Sequence, residues 1–183
     1  MHQDIKSLNV VVTEDWDAKW TDFGTAKMKE TCNSTVVAQS REHSGATGTF
    51  KWMSPEEVKG RVTKSRKSDI YSFGVVLWEL TSHKEPYEQL SWISAIPKIY
   101  NMETETIPED TPAPFAKAIR HCWFQNPKDR PTAKQLADYF ANKGEGVTLP
   151  DPTIQQVPQI QNNNNTNNNN NNKNNSNNYH QLT

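Results

Sequence analysis

The chain has 183 residues, with 20 Lys and Arg against 21 Asp and Glu and a formal net charge of −1. Acids and bases are mixed along its length, which gives no electrostatic reason to expect nucleic acid or a membrane surface as partner. No apolar run approaches the ~20 residues of a membrane span, and the N-terminal residues do not read as a signal peptide.

In chain order, the first apolar stretch is Leu8 followed by the β-branched run Val10–Val12, predicted as a short strand. Thr13–Asp17 is polar and turn-like. Ala18–Thr21 is expected as a second short strand leading into Asp22-Phe23-Gly24. From Thr25 to about Gly48 there is no periodicity, and a loop of that length inside a compact domain is usually functional or mobile. Its hydroxyls Thr31, Ser34, Thr35, Ser40, Ser44 and Thr47 read first as a solvated loop, with phosphorylation as the alternative. Ser54-Pro55-Glu56-Glu57 has the form of a helix start, with Ser as N-cap, Pro at the first position and acids in the first turn.

The strongest helix is predicted to begin near Ser68 and to run from Asp69 through Leu80. Its apolar residues go nearly all the way round, so it should be buried on most sides. Gly74 sits in its middle at a propensity cost of ~1 kcal/mol, which a close approach of another segment would explain. Trp92–Tyr100 is expected to be helical. Phe115, Ile119, Cys122 and Trp123 mark one face of a further amphipathic helix. Thr132 with Gln135 forms a capping-box pattern ahead of a face made by Ala133, Leu136, Ala137 and Phe140. Lys143-Gly144-Glu145-Gly146 closes that helix.

Pro150, Pro152 and Pro158 then lead to a tract from Asn162 to Asn178 broken only by Thr166, Lys173 and Ser176. Such a tract has no apolar surface to offset the entropy of ordering it and is expected to be disordered. The fold class is therefore mainly α: a short β-hairpin, a long loop, then four or five helices in residues 1–142. Residues 143–183 are expected to form a disordered linker and asparagine-rich tail. The two cysteines, Cys32 and Cys122, have no second Cys or His at metal-ligand spacing, so inert free thiols in a reducing, intracellular and cytoplasmic setting are expected.

The chemistry is concentrated at the start. His2-Gln3-Asp4-Ile5-Lys6-Ser7-Leu8-Asn9 precedes Asp22-Phe23-Gly24, and the strand–turn–strand between them is expected to fold back and gather Asp4, Asn9 and Asp22 at one end of the hairpin. Phosphoryl transfer uses that assortment: a carboxylate for the proton of the attacking hydroxyl, a carboxylate and an amide for Mg²⁺, and a nearby cation for the transferred group. His2 reads as structural rather than catalytic.

The pattern resembles the catalytic loop of protein kinases, H-R-D-x-x-x-x-N followed by D-F-G. Gly48-Thr49-Phe50-Lys51-Trp52-Met53-Ser54-Pro55-Glu56 is similar to the segment that ends the activation loop in the tyrosine-kinase-like group of serine/threonine kinases. Ser68–Leu80 looks like the family's central buried helix, and Cys122-Trp123 with Asn126-Pro127-Lys128-Asp129-Arg130-Pro131 resembles the segment near its end. The resemblance implies a partial kinase-like large lobe with ATP and Mg²⁺ as cofactors and a protein substrate or partner. It implies Asp4 as catalytic base, Lys6 at the γ-phosphate in the serine/threonine pattern, and Asn9 and Asp22 as Mg²⁺ ligands. Thr49 would pack against Asp4 and Lys6, Glu56 would pair with Arg130, and Asp69 would hydrogen-bond the catalytic-loop backbone.

Two departures from the family pattern carry consequences. Gln3 stands where the family usually has the Arg that receives an activation-loop phosphate. None of the seven glycines precedes Asp4, so the sequence contains no glycine-rich phosphate loop upstream of it, nor a strand lysine. The chain by itself is therefore expected to be inactive, as a piece of a serine/threonine kinase or as a non-catalytic interaction module. A helix that covers the central helix in the family is also not in the sequence. Three or four large apolar side chains are thus expected to stay exposed, leaving a marginal or partner-dependent fold.

Overall fold

The computed structural model describes residues 1–26, 49–60, 64–146 and 148–149. Most of the expected long loop, with Cys32 and its hydroxyl cluster, and the whole asparagine tract lie outside the described residues.

Val10–Val12 (β1) pairs antiparallel with Ala18–Trp20 (β2), Val10 opposite Trp20 and Val12 opposite Ala18. Thr13 closes the turn between them: its N–H donates to Asp17 O at 2.9 Å and its Oγ1 accepts from the Asp17 N–H at 3.1 Å. The second strand ends one residue earlier than expected, but the Thr21 N–H still reaches Asn9 O at 2.9 Å and extends the ladder. Two residues thus sit across from each other at the open end of the hairpin, Asn9 and Thr21.

Pro55–Val58 (α1) is a single turn with a capping box between Ser54 and Glu57, as its sequence indicates. The central helix, Arg66–Ser82 (α2), starts two residues before the expected Ser68. Ser65 is its N-cap, and the side chains of Ser65 and Ser68 satisfy each other's backbone N–H groups. This is a capping box with Ser in place of the usual Glu or Gln, which hides it from pattern reading. Trp92–Tyr100 (α3) has the expected bounds, Ala113–Cys122 (α4) ends with Trp123 as its C-cap, and Ala133–Ala141 (α5) carries the Thr132–Gln135 box. Gly144, at φ +79°, then turns the chain, its N–H donating to Tyr139 O at 2.8 Å.

The main core gathers Ile70, Tyr71, Val75, Val76, Leu77 and Trp78 of α2 against Ile119 and Cys122 of α4, Trp123, and Leu136 and Tyr139 of α5. Leu149, beyond the residues expected to fold, is 2% exposed and joins this core. A second cluster holds Phe50, Tyr87, Ala95 and Ile99 beneath α3. The central helix is covered better than the sequence argument expected: of its large apolar side chains, Leu80 is exposed and Phe73 is half-buried. Trp20 of the hairpin meets Phe73 edge-on, with centroids 6.4 Å apart, and supplies part of that cover. What remains open is a groove of about 700 Å³ beside Ile5, Trp20, Ile70, Phe73, Leu136 and Phe140. No helix among the described residues is long and apolar enough to cross a membrane.

Gly74 faces α4 so closely that a Cβ there would lie 2.6 Å from Cys122 Cβ and 3.0 Å from the Trp123 ring. Gly74→Ala is therefore expected to destabilise the fold by about 1–3 kcal/mol of overpacking, exceeding the ~1 kcal/mol of helix propensity it gains. The readout is the midpoint of urea unfolding, and an unchanged or raised midpoint would show that α2 and α4 separate without cost.

Candidate active site

Residues 1–6 belong to no helix or strand, and Ser7–Asn9 form one 3₁₀ turn ahead of β1. The loop is shaped from outside. Asp69, in the first turn of α2, accepts the His2 N–H at 2.8 Å with one carboxylate oxygen and the Gln3 N–H at 2.9 Å with the other. Gln3 takes a positive φ of 72°, and its carbonyl accepts from Lys64 Nζ at 2.6 Å. The His2 ring is buried and lies 4.9 Å from the Phe23 ring and 5.8 Å from Trp20, centroid to centroid. Its Nε2 donates to Thr21 O at 2.9 Å, which leaves Nδ1 without a partner among the described residues. Thr25 Oγ1 donates back to His2 O at 3.0 Å. Histidine thus ties the loop to Thr21–Thr25, the structural role its sequence position indicated.

Asp4 and its neighbours form a tight group. Asp4 Oδ2 lies 2.9 Å from Lys6 Nζ and accepts from Asn9 Nδ2 at 3.0 Å. Asn9 Nδ2 also donates to Asp4 O at 2.8 Å, so both amide hydrogens are spent on one residue. Lys6 Nζ donates to Thr49 Oγ1 at 3.1 Å, joining the loop to the 3₁₀ segment Thr49–Trp52. Asp22 follows directly on Thr21, is exposed, and adopts a left-handed φ of 56°. Among the described residues its Oδ1 accepts a long bond from the Gly24 N–H, 3.4 Å. The structure therefore joins Asp4, Lys6, Asn9 and Thr49 directly, and the hairpin sets Asp22 two residues past the partner of β1's first position. Two non-glycine residues with positive φ, Gln3 and Asp22, flank this group, and such backbone strain collects at functional sites.

As donors, Asn9 and Asp22 offer hard oxygen atoms suited to Mg²⁺. Among the described residues no group of three or more His, Cys, Asp or Glu side chains is placed to hold a metal. An amide oxygen and a carboxylate are the donor types that serve an ion whose remaining ligands are phosphate and water, which is how Mg²⁺ is commonly bound.

Arg130, whose side chain is fully buried, ties α1 to the first turn of α2. It forks onto Glu56 with NH1 to Oε1 at 2.7 Å and NH2 to Oε2 at 2.9 Å. Its NH1 and Nε also donate to Lys67 O and Phe124 O, both at 2.9 Å, and the guanidinium lies over the Tyr71 ring at 5.0 Å. Burial pushes the Glu56 carboxyl up, but Arg130 and the bonds from Ser54 and the backbone hold it net below its ordinary 4.5. Lys67 Nζ donates to Arg130 O, and burial followed by the Arg130 charge lowers its own pKa. Burial pushes the Cys122 thiol up to about 12, as expected of an inert core cysteine.

Three contributors were not singled out in the sequence. Lys64 holds the Gln3 carbonyl, and Ser68 Oγ donates to Glu56 Oε1 at 3.1 Å. Glu79, near the end of α2, accepts from Ser7 Oγ at 2.8 Å and from Trp52 Nε1 at 2.7 Å. A glutamate inside an otherwise apolar helical run was the available signal for the last.

A family model described as protein tyrosine and serine/threonine kinase matches residues 1–140. Among individual relatives, the chain is 39% identical over 149 residues to a probable LIM domain-containing serine/threonine-protein kinase from Dictyostelium discoideum, covering 81% of this chain and 22% of that protein. It is 36% identical over 132 residues to a serine/threonine/tyrosine-protein kinase from Arabidopsis thaliana, covering 72% of this chain and 32% of the relative. A putative serine/threonine-protein kinase/receptor from Acanthamoeba polyphaga mimivirus is 35% identical over 74% of this chain and 8% of its own length. The chain thus spans about a third or less of these relatives.

Glu56→Ala is expected to destabilise by about 3–5 kcal/mol, because it leaves a buried guanidinium uncompensated. Since the folded carboxyl titrates below its ordinary 4.5, the pair's contribution is complete above that value and is lost as pH falls through the folded pKa. Urea midpoints measured from pH 7 down to pH 3 should therefore fall less steeply below pH 4.5 in Glu56→Ala than in the parent; parallel curves would remove this pair as a source of acid sensitivity.

Proposed function

The chain belongs to the protein tyrosine and serine/threonine kinase family, and from that premise we propose that residues 1–140 carry the phosphoryl-transfer side of a serine/threonine kinase site. The observation that carries the proposal is the double hold on one oxygen of Asp4 by Lys6 and Asn9. That hold points the carboxylate and leaves Oδ1 with no hydrogen bond among the described residues. Asp4 Oδ1 is then the acceptor for the proton of a substrate hydroxyl, acting as general base. Lys6, steadied by Thr49, offsets charge on the transferred group. Asn9 and Asp22 would hold Mg²⁺ through their side-chain oxygens. Bound Mg²⁺–ATP supplies the phosphoryl group and the cation that neutralises it. Lysine two residues after the base supports serine or threonine of a protein as the acceptor, in keeping with the Dictyostelium serine/threonine-protein kinase it resembles.

Positioning supplies most of the catalysis in phosphoryl transfer. Within these 183 residues no glycine precedes Asp4 to cradle phosphates in the family manner. A polypeptide of residues 1–183 alone is thus proposed to transfer no phosphate, and the site becomes productive only together with a nucleotide-binding segment. A second reading, a non-catalytic interaction module, is favoured by the open apolar groove beside Phe73 and Phe140.

The two readings separate on a fusion of this chain to the nucleotide-binding segment of the Dictyostelium relative, assayed with Mg²⁺–ATP and a protein substrate. Phosphoryl transfer by the fusion that falls about 10²–10⁴-fold in Asp4→Asn is expected, with none from residues 1–183 alone. A fusion that binds ATP but transfers nothing favours the interaction module. Asp4-dependent transfer by the unfused chain overturns the proposed need for a further segment.

A further inference from the structure

The groove beside α2 is apolar inside and basic at its border. Trp20, Phe73, Leu136 and Phe140 line it, and its volume is about 700 Å³. Cavities of roughly 300–1,000 Å³ with aromatic walls are the size that takes up a compact apolar group. Three cations stand around it. Arg66 is exposed and makes no ion pair among the described residues, Lys67 Nζ donates to the carbonyls of Arg130 and Pro131, and Lys134 pairs on the surface with Asp138. The acid among these lining residues is Asp69, whose two oxygens are taken by the His2 and Gln3 N–H groups.

The tip of the hairpin has the opposite charge and a projecting apolar group. Trp16 is 88% exposed and takes a φ of 65°, a conformation that bulky side chains rarely adopt. The turn that presents it is hydrogen-bonded on both sides: the Trp16 N–H donates to Thr13 O at 3.0 Å and the Thr13 N–H to Asp17 O at 2.9 Å. Glu14, Asp15 and Asp17 flank the indole in the chain. All three are exposed, and none of their carboxylates makes an ion pair among the described residues. An exposed indole on a strained backbone, ringed by unpaired acids, has the character of a binding element without its partner.

We propose that the groove receives Trp16 of a second copy of this chain, so that two copies associate reciprocally, each hairpin tip in the other's groove. The indole matches the apolar walls, and the three acids beside it match the cations Arg66, Lys67 and Lys134 at the border. Trp20, four residues after Trp16, lines the groove, so tip and groove lie at most about 13 Å apart along one hairpin. A two-fold axis passing between them makes both contacts at once and closes the assembly at two copies. Each buried indole removes about 150–250 Å² from water. Two of them form the centre of a small interface of the kind that holds transient complexes, below roughly 1,200 Å² in total. The proposal supplies a partner for the interaction-module reading. Its test reads mass and not phosphoryl transfer, so its failure and that of the kinase reading are separate results.

Sedimentation velocity of the full 183-residue chain, from about 1 to 100 µM, is the measurement. A monomer–dimer equilibrium with its midpoint in that range is expected, weakening several-fold as salt rises from about 0.05 to 0.5 M and screens the charge pairs. Trp16→Asn keeps the turn, because Asn tolerates a positive φ, and is expected to weaken association at least tenfold. Ala137, exposed on the α5 wall of the groove, is the second site. Ala137→Glu adds bulk and a charge that repels the acidic tip and is expected to weaken association at least tenfold, and Ala137→Lys less. Trp16→Asn retains an intact groove and Ala137→Glu an intact tip, so a mixture of the two is expected to associate more tightly than either alone. If Ala137→Glu lowers the melting temperature, Trp16→Asn and the salt series decide. A monomer at every concentration, an association indifferent to Trp16→Asn, or Trp16-dependent growth beyond two copies overturns the reciprocal dimer. So does a mixture that associates no better than its components.

Discussion

A loop that must hold a carboxylate and an ammonium in register cannot rely on itself when its backbone makes neither helix nor strand. Here the stiffness is borrowed from α2. The Asp69 carboxylate accepts two consecutive backbone N–H groups, His2 and Gln3, and charge-assisted bonds of this kind are roughly twice as strong as neutral ones. Around that attachment Gln3 takes a positive φ, the His2 ring donates to Thr21 O, and Asp4 accepts from Asn9.

The pillar that provides this support is itself a compromise. α2 buries Ile70, Tyr71 and Val75 to Trp78, yet carries Asp69, Ser72 and Glu79 along one stripe. Polar groups in such a setting are destabilising unless each finds a partner. Each of the three does, and each partner lies in a segment bearing a candidate catalytic or substrate-side residue. The same logic governs Arg130. Its guanidinium satisfies two carbonyls as well as both oxygens of Glu56, so a charge removed from water costs far less than an isolated one. Specificity of arrangement, more than net stability, is what such a network secures, since the same space could be filled by apolar side chains.

Apolar surface left open marks the other constraint on the chain. Trp20 covers part of Phe73, but Ile5, Phe73 and Phe140 still border a groove, and Leu8, Trp16 and Phe23 of the hairpin region are largely exposed. The packed part also reaches past the expected limit at residue 142, with Leu149 sealing the core after the Gly144 turn. Its burial had little local signal, because two apolar residues, Val147 and Leu149, between Gly146 and Pro150 are too few to establish a period.

Local chemistry was legible where close neighbours in the chain carry a familiar pattern, which the Ser65–Ser68 box does not. The Ser54–Glu57 and Thr132–Gln135 boxes, the Trp92–Tyr100 helix and the β1–β2 hairpin are all short-range patterns, and the family motifs named Asp4, Lys6, Asn9, Asp22, Thr49, Glu56, Asp69 and Arg130. The Gly74 contact with Cys122 was half legible: an ill-suited glycine announced a close neighbour without identifying it. What only the tertiary structure decided are the joints between distant segments. Glu79 with Ser7 and Trp52 spans 72 and 27 residues, and Lys64 with Gln3 spans 61. A sequence records which side chains can donate and accept, but the distance between them is set by how α2, the hairpin and the Thr49–Trp52 segment pack, and that packing is a property of the whole chain.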